Sequence, residues 1–136
     1  VHLWHPGANL TIHIRHNFLM QLDHVSYAVR ANELADTVQR LGSELGAPFI
    51  DGGKHPRFGT RNFILPLSNG TYIEVVAPLD HPAAENAAFG QAVRQRAEAG
   101  GGWMGWVVQV DDIAPYDEAG IHAVTFATES GAVTIE

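Results

Sequence analysis

One succession of hydrophobic patterns limits the possible folds more than any other feature of this sequence. Residues 22–29 alternate between apolar and polar side chains, which predicts a half-buried strand. Residues 34–45 then carry apolar side chains at helical spacing, and Gly46 and Pro48 indicate where that helix ends. The apolar stripe consists of Leu34, Val38, Leu41 and Leu45. A strand followed at once by an amphipathic helix indicates a layered fold in which the stripe packs on one face of a sheet.

The elements that follow predict an α+β domain. Asn32 is the predicted N-cap of the first helix, and residues 51–54 form a predicted glycine-rich turn. Asn69 and Gly70 predict a tight hairpin because both residues tolerate positive φ. Pro82 suits the first turn of a second helix. The remaining predicted elements are strands at 8–16, 47–50, 61–67, 71–77, 103–110, 121–127 and 132–136, and a helix at 83–99.

The composition excludes several classes of function. Eight Lys and Arg residues against fifteen Asp and Glu residues give a formal net charge of -7, so no basic surface for nucleic acid is expected. The chain has no Cys, so any metal site must use nitrogen and oxygen ligands. No apolar run is long enough to span a membrane or to form a signal-peptide core. A cytoplasmic protein that makes no membrane contact is therefore predicted.

Two polar residues lie at opposite ends of the strand, helix, strand, strand, strand order between residues 22 and 77. His24 lies in the first strand, within Leu22-Asp23-His24-Val25, and Glu74 lies in the last, within Thr71-Tyr72-Ile73-Glu74-Val75-Val76. A stretch rich in Gly, with a His, occupies residues 52–62 between them. In these features the chain resembles a glyoxalase-like domain of the vicinal oxygen chelate superfamily, whose repeating unit is a βαβββ module. The resemblance covers residues 22–115 and implies the α+β fold of the glyoxalase, bleomycin-resistance and dioxygenase type.

The resemblance implies that His24 and Glu74 are metal ligands. Strand alternation agrees, because each residue lies on the face of its strand opposite the apolar side chains that suit packing under the helix. We therefore expect the two side chains to share the concave surface of the sheet. One imidazole and one carboxylate suit a divalent ion such as Zn, Mn, Fe or Ni. Two ligands are not a complete site, since a mononuclear centre usually has three or more protein ligands.

The second half of the sequence departs from the superfamily pattern. Aligning residues 103–110 with 22–29 places Gly105 where His24 lies in the first module, and too few residues follow for a complete second module. The candidate replacement ligands are His13, His122 and Glu136. The predicted organisation is an appendage at 1–19 that supplies an extra strand or derives from a vector, a first module that begins with Met20 and covers 20–80, a linking helix at 81–102 and a partial second module at 103–136.

Three further side chains are predicted to contact a substrate: His55, Asn62 and Tyr72. Simpler alternatives exist for His55 and for Glu74. His55 lies in a loop flanked by Gly and Pro, where an exposed surface residue is common. Glu74 could belong to an edge strand and face solvent. Trp103 and Trp106 are interpreted as core or interface residues in preference to a ligand cage.

The leading functional hypothesis is a metal-dependent enzyme acting on a small oxygenated molecule. The resemblance implies that vicinal oxygens of the substrate bind the metal, which acts as a Lewis acid, and it allows isomerase, lyase and dioxygenase reactions. A metal-free module that binds or sequesters a small molecule is the alternative, and a structural or interaction domain is a third. Because one βαβββ sheet leaves an open face and open strand edges, a homodimer is expected.

Overall fold

A computed structural model describes residues 2–5, 20–110 and 122–124, and the chain divides into two compact units. The larger unit is Val25–Met104, and the smaller unit combines Val1–His24 with Gly105–Glu136. The strands are β1 (His2–His5), β2 (Met20–Ala28), β3 (Ile50–His55), β4 (Thr60–Pro66), β5 (Tyr72–Pro78), β6 (Gly102–Val110) and β7 (His122–Val124). The helices are α1 (Leu34–Leu45), α2 (Ala83–Asn86) and α3 (Ala88–Glu98). The predicted α+β class and the predicted βαβββ order from β2 to β5 are confirmed.

The larger unit is a mixed layer of sheet and helices. Its strands follow the spatial order β3-β4-β5-β2, and β4 pairs antiparallel with both β3 and β5. Both α1 and α3 contact β5. Leu34, Val38 and Leu41 of α1 pack with Val75 and Ala77, which defines the face of β5 that α1 covers.

The helix-covered face carries the hydrophobic core that the sequence predicts, with one error. Val29, Leu34, Val75 and Ala77 form a buried cluster, and Tyr27, Val38, Leu41, Phe49 and Phe63 pack against it. Leu45 was predicted to belong to this core but is 52% exposed. Thr37 is buried in its place, since it lies one turn after Leu34 on the side of the helix that faces the sheet. The stripe therefore contributes its first three members to the core and exposes the fourth.

The ends of α1 differ in how well the sequence predicts them. Asn32 is not the N-cap, because Ala31–Glu33 form a 3-10 turn before the helix. Glu33 accepts a hydrogen bond from the backbone N–H of Arg30 at 3.2 Å and so stabilises this turn. At the other end, Gly46 adopts the predicted left-handed conformation with φ 67°. The C-terminal prediction is confirmed because a glycine cap depends on local sequence alone.

The glycine pair predicted as a turn is part of a strand. β3 includes Gly52 and Gly53, and its register with β4 shifts between Asp51 and Gly53, which marks a β-bulge. One extra residue is thus accommodated within the strand and the chain does not reverse there. The reversal comes after β4, where Asn69 and Gly70 both have positive φ, as predicted.

The predicted helix 83–99 is broken into α2 and α3 at Ala87, whose ψ of 132° is extended. Ala84 and Phe89 are both buried, although on a continuous helix two residues five apart would lie about 140° from one another. The break allows both to face inward. A side chain at Gly90 would overlap the backbone oxygen of Phe58, so this glycine allows α3 to approach the turn before β4 closely.

The smaller unit contains β1, which pairs antiparallel with β6 on one side and β7 on the other. His2 lies opposite Gln109 and Val124 in these two pairings. The sequence did not predict β1. The predicted strands at 8–16 and 132–136 lie outside the described residues, and so do His13 and Glu136. None of the helices in the described ranges is long and apolar enough to cross a membrane.

Candidate functional site

Strand register brings a set of polar side chains to the sheet face opposite the core of the larger unit. His55 pairs with Thr60, Gly53 pairs with Asn62, and Ile64 pairs with Glu74. Directly paired residues of antiparallel strands point to the same face, so His55, Thr60, Asn62 and Glu74 share one face. Three of these are almost fully buried: Thr60 at 1%, Asn62 at 8% and Glu74 at 5% exposure.

The carboxylate of Glu74 accepts a side-chain hydrogen bond at each oxygen. The Ser26 hydroxyl on β2 donates to Oε2 at 2.6 Å, and the Asn62 amide on β4 donates to Oε1 at 2.7 Å. Both donors are themselves buried, and Ser26 has no exposed surface. Because β5 lies between β4 and β2 in the larger unit, Glu74 is not on an edge strand. The alternative that Glu74 is an exposed edge residue is therefore wrong.

His55 extends this arrangement toward the turn that follows β3. Its Nε2 lies 3.0 Å from the Asn62 side-chain oxygen, and the imidazole is half-buried. Ser26, Glu74, Asn62 and His55 thus form one continuous chain of hydrogen bonds, here called the Glu74 network. A buried carboxylate is costly to retain, and these donors offset part of that cost.

The bulge in β3 makes room for the network. A side chain added at Gly52 would overlap the Asn62 side-chain oxygen, the same atom that His55 contacts. The neighbouring Gly53 N–H donates to the Asp51 carboxylate at 2.8 Å. This hydrogen bond is the main reason that the pKa of the Asp51 carboxyl is lowered, and the nearby Arg61 guanidinium adds to the effect. Asp51 in turn anchors the bulge.

A comparison with known protein families identifies the family of this chain. A family model described as a glyoxalase-like domain matches residues 22–132 of the chain. The chain belongs to the glyoxalase-like domain family. The glyoxalase-like domain that His24, Glu74 and the stretch between them suggested is confirmed.

One solved structure that matches this glyoxalase-like chain is methylmalonyl-CoA epimerase from Mycobacterium tuberculosis, with 24% sequence identity and a TM-score of 0.45. The match covers 67% of this chain and 56% of that one. The chain thus spans little more than half the length of the matched protein. A comparison with curated proteins finds no significant match.

His24, the other predicted ligand in this glyoxalase-like domain, belongs to the smaller unit, so its proximity to Glu74 stays a prediction. The residue lies on β2 and is 1% exposed. Its Nδ1 is 2.6 Å from a carboxylate oxygen of Asp23. A carboxylate on one ring nitrogen is the usual arrangement for a histidine whose other nitrogen binds a metal, because it fixes the tautomer and the ring orientation.

The described residues do not by themselves supply a complete metal site. No group of three or more His, Asp or Glu side chains that could hold an ion occurs within the described ranges. The carboxylate of Glu74 is also already engaged by Ser26 and Asn62. The replacement ligands predicted at His13 and Glu136 lie outside the described residues, and only the backbone of His122 is described. The metal assignment of His24 and Glu74 therefore stays a prediction.

The remaining candidates are placed differently. Tyr72 is half-buried on β5, on the same side of the strand as Glu74. Trp103 is 57% exposed and contacts Tyr27 edge-to-face at 5.1 Å between ring centroids, so it is not a core residue. Trp106 is half-buried on β6.

Two buried polar residues of this site, Ser26 and Thr60, are not predicted from the sequence. Alternation in residues 22–29 puts Ser26 on the same face of β2 as His24, but neither Ser26 nor Thr60 is a predicted site residue. A signal for Ser26 was present, because it lies two residues from His24 on the same strand face and is a small polar residue in a strand expected to be buried. No comparable signal marked Thr60, whose burial depends on pairing with β3 and β5.

Proposed function

We propose that the chain is a glyoxalase-like enzyme that acts on a small oxygenated molecule bound at the Glu74 network. The observation that carries this proposal is the carboxylate of Glu74, buried in a central strand with a hydrogen-bond donor at each oxygen. A strand that only served the core would have an apolar residue at this position. Buried polar groups with specific partners are typical of sites that bind or transform a ligand.

The chemistry of the network suits an oxygen-rich ligand. Asn62, His55 and Tyr72 offer amide, imidazole and phenol groups, which hydrogen-bond to hydroxyl and carbonyl oxygens. A carboxylate held in one orientation can accept a proton from such a ligand or orient a cation beside it. The proposal covers isomerase, lyase and dioxygenase reactions. Each of these can use a carboxylate that accepts a proton or one that orients a cation.

The decisive variant is Glu74→Gln, which keeps the size of the side chain and removes its charge. In D2O with a panel of small hydroxy- and oxo-acids, we expect the unmodified protein to exchange or isomerise the C–H beside a carbonyl in at least one compound. Glu74→Gln should slow that reaction by about 10²–10⁴-fold, as for loss of a general base. Glu44→Gln is the matched control, because Glu44 is 57% exposed on α1 and pairs with Arg40. Equal rates for both variants would refute the proposal.

Metal dependence is a separate part of the proposal. The superfamily resemblance and the Asp23–His24 pair support a divalent ion with His24 and Glu74 among its ligands. Metal analysis of protein purified without chelator should then find about one Zn, Mn, Fe or Ni per chain, since catalytic centres of this kind bind a single ion. His24→Ala and Glu74→Gln should each reduce that content, and Glu44→Gln should not. An unchanged metal content in both variants would show that neither His24 nor Glu74 is a ligand.

A metal-free binding module is the second candidate. The observation that favours it is that the described residues hold no group of three potential ligands, while both Glu74 oxygens already accept hydrogen bonds. On this alternative, the same panel of acids would bind to metal-free protein, as detected by calorimetry, without any turnover. Turnover that requires an added divalent ion would exclude it.

A further inference from the structure

The hydrogen bonds of the Glu74 network fix where the proton lies on His55. The nitrogen of the Asn62 amide donates a hydrogen bond to Glu74 Oε1 at 2.7 Å. The amide oxygen then faces His55 Nε2, at 3.0 Å. Because that oxygen can only accept, Nε2 must carry the hydrogen in this bond.

A neutral imidazole has one N–H, so a hydrogen on Nε2 leaves Nδ1 as an acceptor. Among the described residues, no hydrogen bond to His55 Nδ1 is formed. The ring is half-buried at the end of β3, where the chain turns toward β4. We propose that Asn62 and Glu74 hold His55 in the Nε2–H tautomer and that Nδ1 accepts a proton or a hydrogen bond from the ligand.

This inference rests on the proposed function, because it places the ligand at the Glu74 network, and it narrows the class of ligand. The ligand must present a hydroxyl group or an acidic C–H next to a carbonyl. When a proton is transferred, the ligand's O–H or C–H bond breaks, its electron pair stays on the ligand, and an N–H bond forms at Nδ1. The resulting imidazolium keeps its Nε2–H bond to Asn62.

Asn62 is a positioning residue in this arrangement. A side-chain amide does not pass protons readily, so the network orients His55 and is not a proton relay to Glu74. The bulge at Gly52 has the same consequence, since a side chain there would displace the Asn62 oxygen from His55. The geometry therefore assigns separate roles to two neighbouring members of the network: His55 contacts the ligand, and Asn62 keeps His55 oriented.

The tautomer can be measured directly by NMR of protein labelled with 15N at histidine, at a mildly alkaline pH where imidazoles are neutral. The chain has eight His residues, and the signals that disappear in His55→Gln identify His55. We expect one His55 tautomer, with a slowly exchanging hydrogen on Nε2. Asn62→Ala should expose that hydrogen to exchange and populate both tautomers. Asn86→Ala, at an exposed position of α2, is the matched control and should leave the signals unchanged.

Only the unmodified protein is needed to refute the tautomer, so a folding defect in Asn62→Ala would not obscure the result. A hydrogen on Nδ1, or two tautomers in rapid exchange, in the unmodified protein would refute it. The ligand contact is tested with hydroxyacetone, a small compound with adjacent hydroxyl and carbonyl oxygens. We expect a saturable shift of the His55 Nδ1 resonance and no shift for exposed His81.

The outcomes separate this inference from the proposed function. If the D2O assay detects turnover that depends on Glu74 while hydroxyacetone leaves Nδ1 unchanged, the contact with His55 is wrong and the proposed function is retained. If Nδ1 responds to hydroxyacetone but no acid in the panel reacts, the contact is supported and the enzymatic proposal is refuted.

Discussion

Single residues decide the chemistry of this domain. Glu74 interrupts an otherwise apolar strand, and it is retained there because Ser26 and Asn62 satisfy its two oxygens. Leaving one such buried group without its partner would cost roughly 1–3 kcal/mol. His55 is linked to the same carboxylate through Asn62. A change at any of these positions should therefore affect the others.

Gly52→Ala should disrupt the network without altering a polar group. The added methyl would overlap the Asn62 oxygen, and we expect a loss of roughly 1–3 kcal/mol in the free energy of unfolding, typical of overpacking. Urea denaturation gives this value, and the His55 Nε2–H signal should vanish. Gly53→Ala is the control. It strains a backbone with φ 84° but meets no neighbouring atom, so it should retain the signal. An unchanged signal in Gly52→Ala would contradict the role of the bulge.

Asp51 predicts a dependence of stability on pH. Its pKa is lowered from 3.8 in the folded protein, chiefly by the Gly53 N–H. A lowered carboxyl pKa stabilises the fold above the unfolded value, and this contribution is lost as the pH falls through the folded value. Asp51→Asn should therefore lower the unfolding midpoint at about pH 6, and the difference should shrink toward zero at about pH 2. A difference that is the same at both pH values would show that the charge of Asp51 is not the cause.

At the scale of elements, the helix α1 shows how far periodicity determines packing. Four leucine and valine positions form the predicted stripe, and Leu34, Val38 and Leu41 contact the core. Leu45 is the last residue of α1 and is 52% exposed. The same helix thus provides both a buried leucine and a matched exposed one.

Leu34→Ala should destabilise the domain by roughly 2–4 kcal/mol, because Leu34 is buried beside Val75. Leu41→Ala removes a half-buried side chain and should cost about 1–2 kcal/mol, below the usual range for a fully buried leucine. Leu45→Ala should change stability by less than about 0.5 kcal/mol. Denaturant melts of the three variants give the comparison. Equal losses at positions 34 and 45 would contradict the packing of α1 described above.

At the scale of the whole molecule, β3 is the outermost strand at one end of the sheet. It carries Ile50, which is 54% exposed. Open strand edges with apolar side chains favour association with another chain. The homodimer expected from the incomplete second module remains a prediction, as does the cytoplasmic location.

Sedimentation equilibrium at micromolar concentrations tests the dimer. We expect a mass near twice the 14.7 kDa of one chain, because a two-fold dimer is the commonest symmetric assembly. Ile50→Lys should shift the equilibrium toward monomer if β3 contributes to the contact, whereas Leu67→Lys, at an exposed leucine in the turn after β4, should have no effect. A mass of 14.7 kDa at every concentration would exclude the dimer.

The sequence by itself determined the order of elements from β2 to β5 and the faces of β2 and β5. Alternation in 22–29 and 71–77 separated His24, Ser26 and Glu74 from the core, and the glycine at position 46 defined the end of α1. These features follow from the periods of strands and helices and from the backbone freedom of glycine, which are local properties. The family was indicated separately, by the resemblance of His24, Glu74 and the stretch between them to a known βαβββ module.

Only the tertiary structure decided which polar residues meet. The bulge at Gly52 shifts the register of β3 so that His55 reaches Asn62, and the position of β2 beside β5 brings Ser26 to Glu74. Ser26 and Glu74 are 48 residues apart in the chain, and no local pattern relates them. The exposure of Leu45 and the break at Ala87 have the same origin. They depend on what lies across the interface from each residue, which the periodicity of a single segment does not contain.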